Sequence, residues 1–189
     1  QEAINILGYA YDKAEKYRVP VMMLADGIMA QMMEPVEMPE MVEYKVDPEK
    51  KPWAATGWKP GDDPAKRAVI NSLYINTEDL TVHNNNLQAT YREIEKNEIE
   101  YECYKTEDAD IVIAAFGTVA RIAKSAINDL REQGVKVGLF RPITVWPFPY
   151  TQLADAVKGA KAILDVEVNE GQMMEDVCLA VNGALPVEY

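Results

Sequence analysis

Apolar residues recur along this chain at two different spacings, and one long stretch shows neither. Over residues 1–17, Ala3, Ile4, Leu7, Ala10, Tyr11 and Ala14 share one face at helical spacing, which predicts a helix. Residues 19–25 then form an uninterrupted apolar run, the pattern of a strand covered on both sides in a parallel sheet. Such a strand needs neighbours for its backbone donors and acceptors, and no other strand pattern precedes the proline-rich stretch that follows. The opening is therefore expected to be the tail of a larger domain, and the chain the C-terminal portion of a longer protein.

Six of the eleven prolines, Pro35, Pro39, Pro48, Pro52, Pro60 and Pro64, crowd the next stretch. Proline removes backbone donors and blocks helix, so an extended connector is expected over 35–76. Trp53 and Trp58 flank Thr56 and Gly57 within it. They either clamp the connector onto a domain or meet another subunit. A helix follows from about Thr77, with Leu80, His83, Leu87, Tyr91 and Ile94 on one stripe.

From Asp108 onward strand and helix alternate. Strands are predicted over 111–116, 135–140, 162–168 and 184–189, the last running to the end of the sequence. Helices are predicted from Gly117 to a stop at Gly134, over 150–157 and over 172–181. Arg141 to Pro149 is too rich in proline for a regular element. Alternation with short links defines an α/β fold, a parallel sheet flanked by helices, over 77–189.

Composition narrows the chemistry. Hydrophobic residues make up 48% of 189 residues, enough for a core, and no apolar run approaches the ~20 residues of a membrane span. No secretory leader is visible, and the expected location is cytoplasmic. Nineteen basic against thirty-one acidic residues leave a net charge of −12. That field disfavours non-specific contact with nucleic acid or anionic lipid, so neither is expected as a partner. Cys103 and Cys178 are far apart and neither lies in a C-x-x-C pair, so no zinc or iron–sulfur site is encoded. Cys178, in the apolar phase of its helix, is expected to be buried. His83 is the single histidine, and its stripe marks it as a packed or interface residue. Hydrolase triads, zinc-protease motifs and Walker loops have no matching residues.

The carboxyl ends of the predicted strands are the places to look for ligands in an open α/β sheet. Gly117-Thr118 lacks the G-x-G-x-x-G spacing that admits a pyrophosphate. Arg141 has the geometry to hold an anion with two prongs or to pin the following loop through carbonyls. Asn169 with Gln172 three residues on fits a capping box at the last helix. Asp26 and Gln31 follow the first apolar run, as groove-lining residues or as a turn and a helix cap.

The wording of several segments resembles one family. Residues 26–39, Asp-Gly-Ile-Met-Ala-Gln-Met-Met-Glu-Pro-Val-Glu-Met-Pro, resemble the end of the pyrimidine-binding domain in α subunits of 2-oxoacid:ferredoxin oxidoreductases. Asp108 to Asp110 before a strand ending at Gly117, then Arg141 to Thr144 with Trp146 to Pro149, then Glu167 to Gln172, resemble that family's second domain in the same order. That domain is similar to the transketolase C-terminal domain. The Glu-Pro-Val-Glu-Met-Pro wording is most similar to the branched-chain, 2-oxoisovalerate type, and the 2-oxoglutarate and pyruvate types are close beside it.

The resemblance implies an enzyme that decarboxylates a 2-oxoacid on thiamine diphosphate, forms the acyl-CoA and passes electrons through iron–sulfur clusters to ferredoxin. It implies a β subunit holding the diphosphate and Mg2+, with γ and ferredoxin-like δ subunits beside it. The carboxylate that activates the cofactor is implied to lie before Gln1. No residue of this chain is then catalytic, cofactor-binding or metal-binding. Asp26, Gln31, Arg141, Trp146, Glu167, Asn169 and Gln172 are expected at subunit contacts or the subunit groove. The implied division is residues 1–34 as a remnant of the pyrimidine-binding domain, 35–76 as connector and 77–189 as the α/β domain. The fragment is expected to be inactive alone and to serve assembly. The rivals are a non-enzymatic interaction module docking through the Trp146 to Pro149 loop, and another thiamine enzyme, either a transketolase or a branched-chain dehydrogenase E1 β chain.

Overall fold

A computed structural model describes residues 1–41, 43, 49–55 and 57–189. Pro48 and Thr56 of the connector lie outside the described residues. Helix α1 spans Glu2–Tyr17 and ends at Arg18 in the left-handed conformation. Helix α2 spans Thr77–Asn97 and starts where the Asn76 side chain accepts from the Glu78 N–H at 3.0 Å. Its stripe is covered mainly at the far end, where Ile94 is buried. His83 stacks on Tyr74 with ring centroids 4.6 Å apart and is otherwise exposed.

The sheet is made by β1 Tyr101–Tyr104, β2 Ile111–Ala114, β3 Val137–Pro142, β4 Ala162–Asp165 and β5 Val187–Glu188. Its order is β1-β3-β2-β4-β5. Ile111 of β2 lies opposite Val137 and Ala162 in parallel ladders, and Ile163 of β4 lies opposite Val187. The connecting helices are α3 Gly117–Glu132, α4 Tyr150–Ala156 and α5 Gln172–Val181. One face of the sheet packs Val112, Ala114, Phe140 and Ile163 against Leu153, Val157, Met173 and Val177 of the α4 and α5 layer. The other packs Ile113, Ala115, Val137 and Leu139 against Ala120, Ala123 and Ile127 of α3. These are the two covered faces that continuous apolar strands require.

The sheet departs from a purely parallel one at β1, which runs antiparallel to β3 with Tyr101 opposite Pro142 and Tyr104 opposite Leu139. Gly138 of β3 fits beneath the chain leaving β1, because a Cβ there would meet the Lys105 carbonyl oxygen at 2.6 Å. β3 also carries on through Arg141 and Pro142, residues read above as irregular. Proline is tolerated there because it ends the strand.

The first apolar run corrects its expectation. Residues 19–25 form no strand, and Val21, Met22, Met23 and Leu24 are exposed, Met22 by 80%. Among the described residues no neighbouring strand accepts their backbone groups, so apolarity alone does not make a ladder. The stripe of α1 is also only partly covered: Ala10 and Tyr17 are buried, while Leu7 and Tyr11 are exposed. Polar bridges attach this helix instead. Lys13 Nζ donates to Glu100 at 2.5 Å and pairs with Glu98 at 3.2 Å, and Lys16 Nζ and Tyr17 OH donate to Glu98 at 2.8 and 2.5 Å.

Two connector tryptophans take different partners. The Arg18 guanidinium sits 4.7 Å from the Trp53 ring centre, tying the connector to the end of α1. Trp58 has Arg67 of the connector itself over its ring at 5.5 Å and stays partly exposed. Cys178 is exposed rather than buried, because α5 turns Met173, Val177 and Val181 to the core and Cys178 lies off that stripe.

Candidate functional site

The parallel strands β2, β3 and β4 end on one edge of the sheet. Chain order reverses between β2 and β4, because the chain leaves β2 for β3 on one side and then crosses to β4 on the other. That reversal is where open α/β sheets leave a crevice. Most residues singled out above gather along this edge, in three groups.

At the end of β2, Gly117 adopts φ 56° and opens α3, which has no side-chain cap of its own at Phe116. Asp26 reaches over from the first segment. Its carboxylate accepts from Thr118 Oγ1 at 2.5 Å and from the Met29 N–H at 2.7 Å. The Thr118 hydroxyl and then the Met29 amide hold this carboxyl below the usual aspartate range. Asp26 thus ties the first segment to the start of α3. Gln31 closes the following 3-10 turn, Met29–Gln31, and is exposed.

At the end of β3, Arg141 takes the first of the two roles weighed above and holds an anion with two prongs. Its Nη1 and Nη2 donate to the Glu2 carboxylate at 3.0 and 2.5 Å, and its Nε donates to Glu102 at 2.9 Å. The two-pronged anion is the protein's own Glu2, and among the described residues no loop carbonyl takes the guanidinium. Hydrogen bonding to Arg141 lowers the Glu2 carboxyl despite partial burial. Lys124 Nζ completes the group with a 2.5 Å bond to Glu102. Trp146 lies beyond this cluster, 54% exposed and edge-on to Tyr91 with centroids 5.5 Å apart. It lines an open groove with Val19, Pro20, Gln88, Arg92 and Glu95.

At the end of β4, Glu167 and Asn169 precede α5 and Gln172 is its first residue, but the capping box does not form. The N-cap of α5 is Gly171, with no side-chain cap of its own. Glu167 does the capping from upstream. It accepts from the Met173 N–H at 2.9 and 3.2 Å and from the Met174 N–H at 3.1 Å. Asn169 makes only a 3.4 Å contact with the Gly171 N–H, and its carbonyl accepts from the Tyr189 hydroxyl. A carboxylate at a helix N-terminus gains from the helix dipole as well as from the bonds, which a neutral asparagine does not.

Sequence reasoning missed Asp165. It is 1% exposed, its carboxyl oxygens have no hydrogen-bond donor among the described residues, and burial pushes its pKa up to about 8 with the Glu167 carboxyl adding to the shift. The available signal was a charged residue in phase with inward Ile163 on an apolar strand.

The donor set bears on metals and cofactors. Among the described residues, no group of three or more His, Cys, Asp and Glu side chains is placed to hold a metal ion. Cys103 and Cys178 are both exposed and unpaired with each other. These residues do not fit a magnesium–diphosphate anchor or a cluster-binding set, and no chemical step is assigned to them. Among the described residues, no helix is long and apolar enough to cross a membrane.

The sheet order, the two helical layers and the edge groups define an α/β domain joined to an extended N-terminal segment. Family models give that architecture its relatives. The model described as "Pyruvate flavodoxin/ferredoxin oxidoreductase, thiamine diP-bdg" matches residues 1–103, and "Pyruvate:ferredoxin oxidoreductase core domain II" matches residues 109–189. The chain belongs to the 2-oxoacid:ferredoxin oxidoreductase family that these models describe. It is 39% identical over 189 residues to the ketoisovalerate oxidoreductase subunit VorB of Methanothermobacter marburgensis, covering all of this chain and 51% of that one. It is 29% identical over 208 residues to the 2-oxoglutarate synthase subunit KorA of the same organism, covering 56% of that protein. The chain therefore spans about half the length of the curated relatives it matches. A solved 2-oxoglutarate:ferredoxin oxidoreductase from Magnetococcus marinus matches 66% of this chain and 21% of its own, at TM-score 0.52 and 18% identity, a likeness of fold.

Proposed function

We propose that this chain works as part of the α subunit of a thiamine-diphosphate-dependent 2-oxoacid:ferredoxin oxidoreductase whose substrate is 2-oxoisovalerate. The complex oxidatively decarboxylates the acid, joins the acyl group to CoA and hands the electrons to ferredoxin. The single observation that carries this reading is the 39% identity running the whole chain to a ketoisovalerate oxidoreductase subunit. The cofactor supplies the carbanion chemistry, and protein groups orient it and exclude water.

In this reading residues 1–34 belong with a cofactor-binding module, 35–76 connect, and 77–189 form the second domain. The chain contributes assembly: its exposed apolar segment and the Trp146 loop meet a β-type subunit that holds thiamine diphosphate and Mg2+. Clusters and the ferredoxin contact belong to γ and δ subunits. Asp26, Arg141 and Glu167 act on that assembly indirectly, by holding the segment, α1 and α5 in place. Gln31 and Trp146 are the interface residues proper. The location is cytoplasmic.

The test is co-purification followed by turnover. A tagged chain is expected to retain a β-type thiamine-binding subunit. The assembled complex is expected to reduce a viologen dye faster with 2-oxoisovalerate than with 2-oxoglutarate or pyruvate, in a CoA-dependent way. The chain alone is expected to give no reduction. Turnover by the chain alone, or a preference for another 2-oxoacid, contradicts the proposal. Retention of an unrelated protein in place of the β-type subunit favours the interaction-module reading.

A further inference from the structure

Asp165 is out of place by ordinary electrostatic rules, since a buried carboxylate is normally paired with a cation or held by donors. It ends β4 beside Ala114 of β2 and is 1% exposed, with no donor to either oxygen among the described residues. Among the described residues no cation pairs with it. Residues 162–189 contain six carboxylates and not one Lys, Arg or His. The nearest preceding cations are engaged elsewhere, Lys158 with Asp155 at 2.7 Å and Lys161 with Asp110 at 2.9 Å. Glu167, two residues on, lies on the same side as Asp165, because Val166 between them bonds to Ala114 and packs on the opposite, α3 face. Glu167 is already committed as an acceptor to the Met173 and Met174 N–H groups.

We propose that Asp165 and Glu167 share one proton: Asp165 is a neutral acid that donates to the Glu167 carboxylate and fixes it as the cap of α5. Two carboxyl groups in contact cannot both ionise cheaply, and a proton between them turns repulsion into a hydrogen bond. The relay runs from the Asp165 hydroxyl to the Glu167 carboxylate and on to the two helix amides. The other titratable groups on the adjoining α5 and on β5 are acidic. Glu175 and Asp176 lie on α5, the latter accepting from Tyr150 of α4, and Glu188 lies on β5. Tyr189 packs by Gly171 and senses the charges of Glu167, Glu170 and Asp165. None of these supplies a cation, so the proton is the available neutraliser.

The device has a direction in pH. The folded Asp165 titrates at about 8, above the 3.8 of an exposed aspartate, so folding takes up a proton between those values. Stability conferred by the neutral acid is complete below the lower value, declines as pH rises and is gone above the upper one. Loss of the proton to solvent leaves two facing carboxylates, and Glu167 is driven off the α5 amides.

The experiment is infrared spectroscopy and thermal melting of the 189-residue chain from neutral to alkaline pH. The wild type is expected to show the carbonyl band of a buried protonated acid, lost with a midpoint of about 8, and a melting temperature that falls from neutral pH and levels off once the band is gone. Asp165→Asn keeps a donor toward Glu167 and needs no proton. It is expected to lack the band, to melt higher than wild type at alkaline pH and to lose the pH dependence. Glu167→Gln supplies a donor to Asp165 and is expected to move the midpoint down. A wild type without the band at neutral pH overturns the proposal, as does Asp165→Asn with the wild-type pH profile. If Asp165→Asn does not fold, the wild-type band and its displacement in Glu167→Gln decide alone.

Discussion

Residues 111–114 and residues 21–24 are equally apolar four-residue runs in this chain, and they meet opposite fates. The first, β2, has a strand on either side and helices over both faces, and Val112 and Ala114 are buried. The second has no strand beside it among the described residues and holds its side chains out, Leu24 by 69%. The exposure continues through Ile28, Met33, Met38 and Met41, with Met33 at 99%. A contiguous, methionine-rich apolar stretch is the usual mark of a surface that meets another protein. The difference teaches that pairing, more than hydrophobicity, decides where this chain is closed and where it is open. The closed region buries its strands between two helical layers, and the open one is tied to it by polar bonds such as Asp26 to Thr118.

That contrast can be broken at several points. Phe140→Ala strikes the closed region at a fully buried ring stacked on Tyr101, and is expected to cost about 3–5 kcal/mol in urea unfolding. A cost near zero would mean that the sheet is not the seat of stability. Acid should act next, on the ties that attach α1. Burial alone would raise the Glu98 carboxyl, but hydrogen bonds from Lys16, Tyr17 and Lys13 together lower it to about 2. Its contribution is present above the ordinary 4.5 and lost as pH falls toward 2, so amide exchange of α1 should quicken over that window while β2 stays protected. Glu98→Gln should remove that acid step. The smallest effect on stability belongs to Met33→Lys, within about 0.5 kcal/mol because the side chain touches little. The same change is expected to weaken capture of a β-type subunit severalfold, and equal capture would take Met33 out of the contact.

Much of the α/β domain was legible because its elements are local. Helix α5 matches the predicted 172–181 at both ends, since Gly171 before it and Asn182-Gly183 after it are strong punctuation. Gly134, at φ 85°, ends α3 as its position suggests. Strand β1 was not legible. Tyr-Glu-Cys-Tyr shows no apolar alternation, and it becomes a strand through distant partners, Arg141 bonding Glu102 and Phe140 stacking on Tyr101. The α5 cap illustrates the same limit at the site. Asn169 and Gln172 have the right spacing, yet the β4–α5 loop folds back and delivers a charged acceptor instead, Glu167. Arg141 was visible as an anion holder, but its anion, Glu2, is 139 residues away. Asp165 falls inside the predicted strand 162–168, whose apolar neighbours do not reveal whether a single charged side chain among them is covered.

Residues 19–41 carry an uncovered apolar surface attached to a sheet covered on both faces. Amide hydrogen exchange of the 189-residue chain, alone and with a β-type subunit, tests it most directly. The account predicts rapid exchange at 21–24 beside strong protection of β2, β3 and β4 in the chain alone, and slowing at 21–24 when the subunit is added. Protection of 21–24 in the chain alone, equal to that of β2, would contradict it.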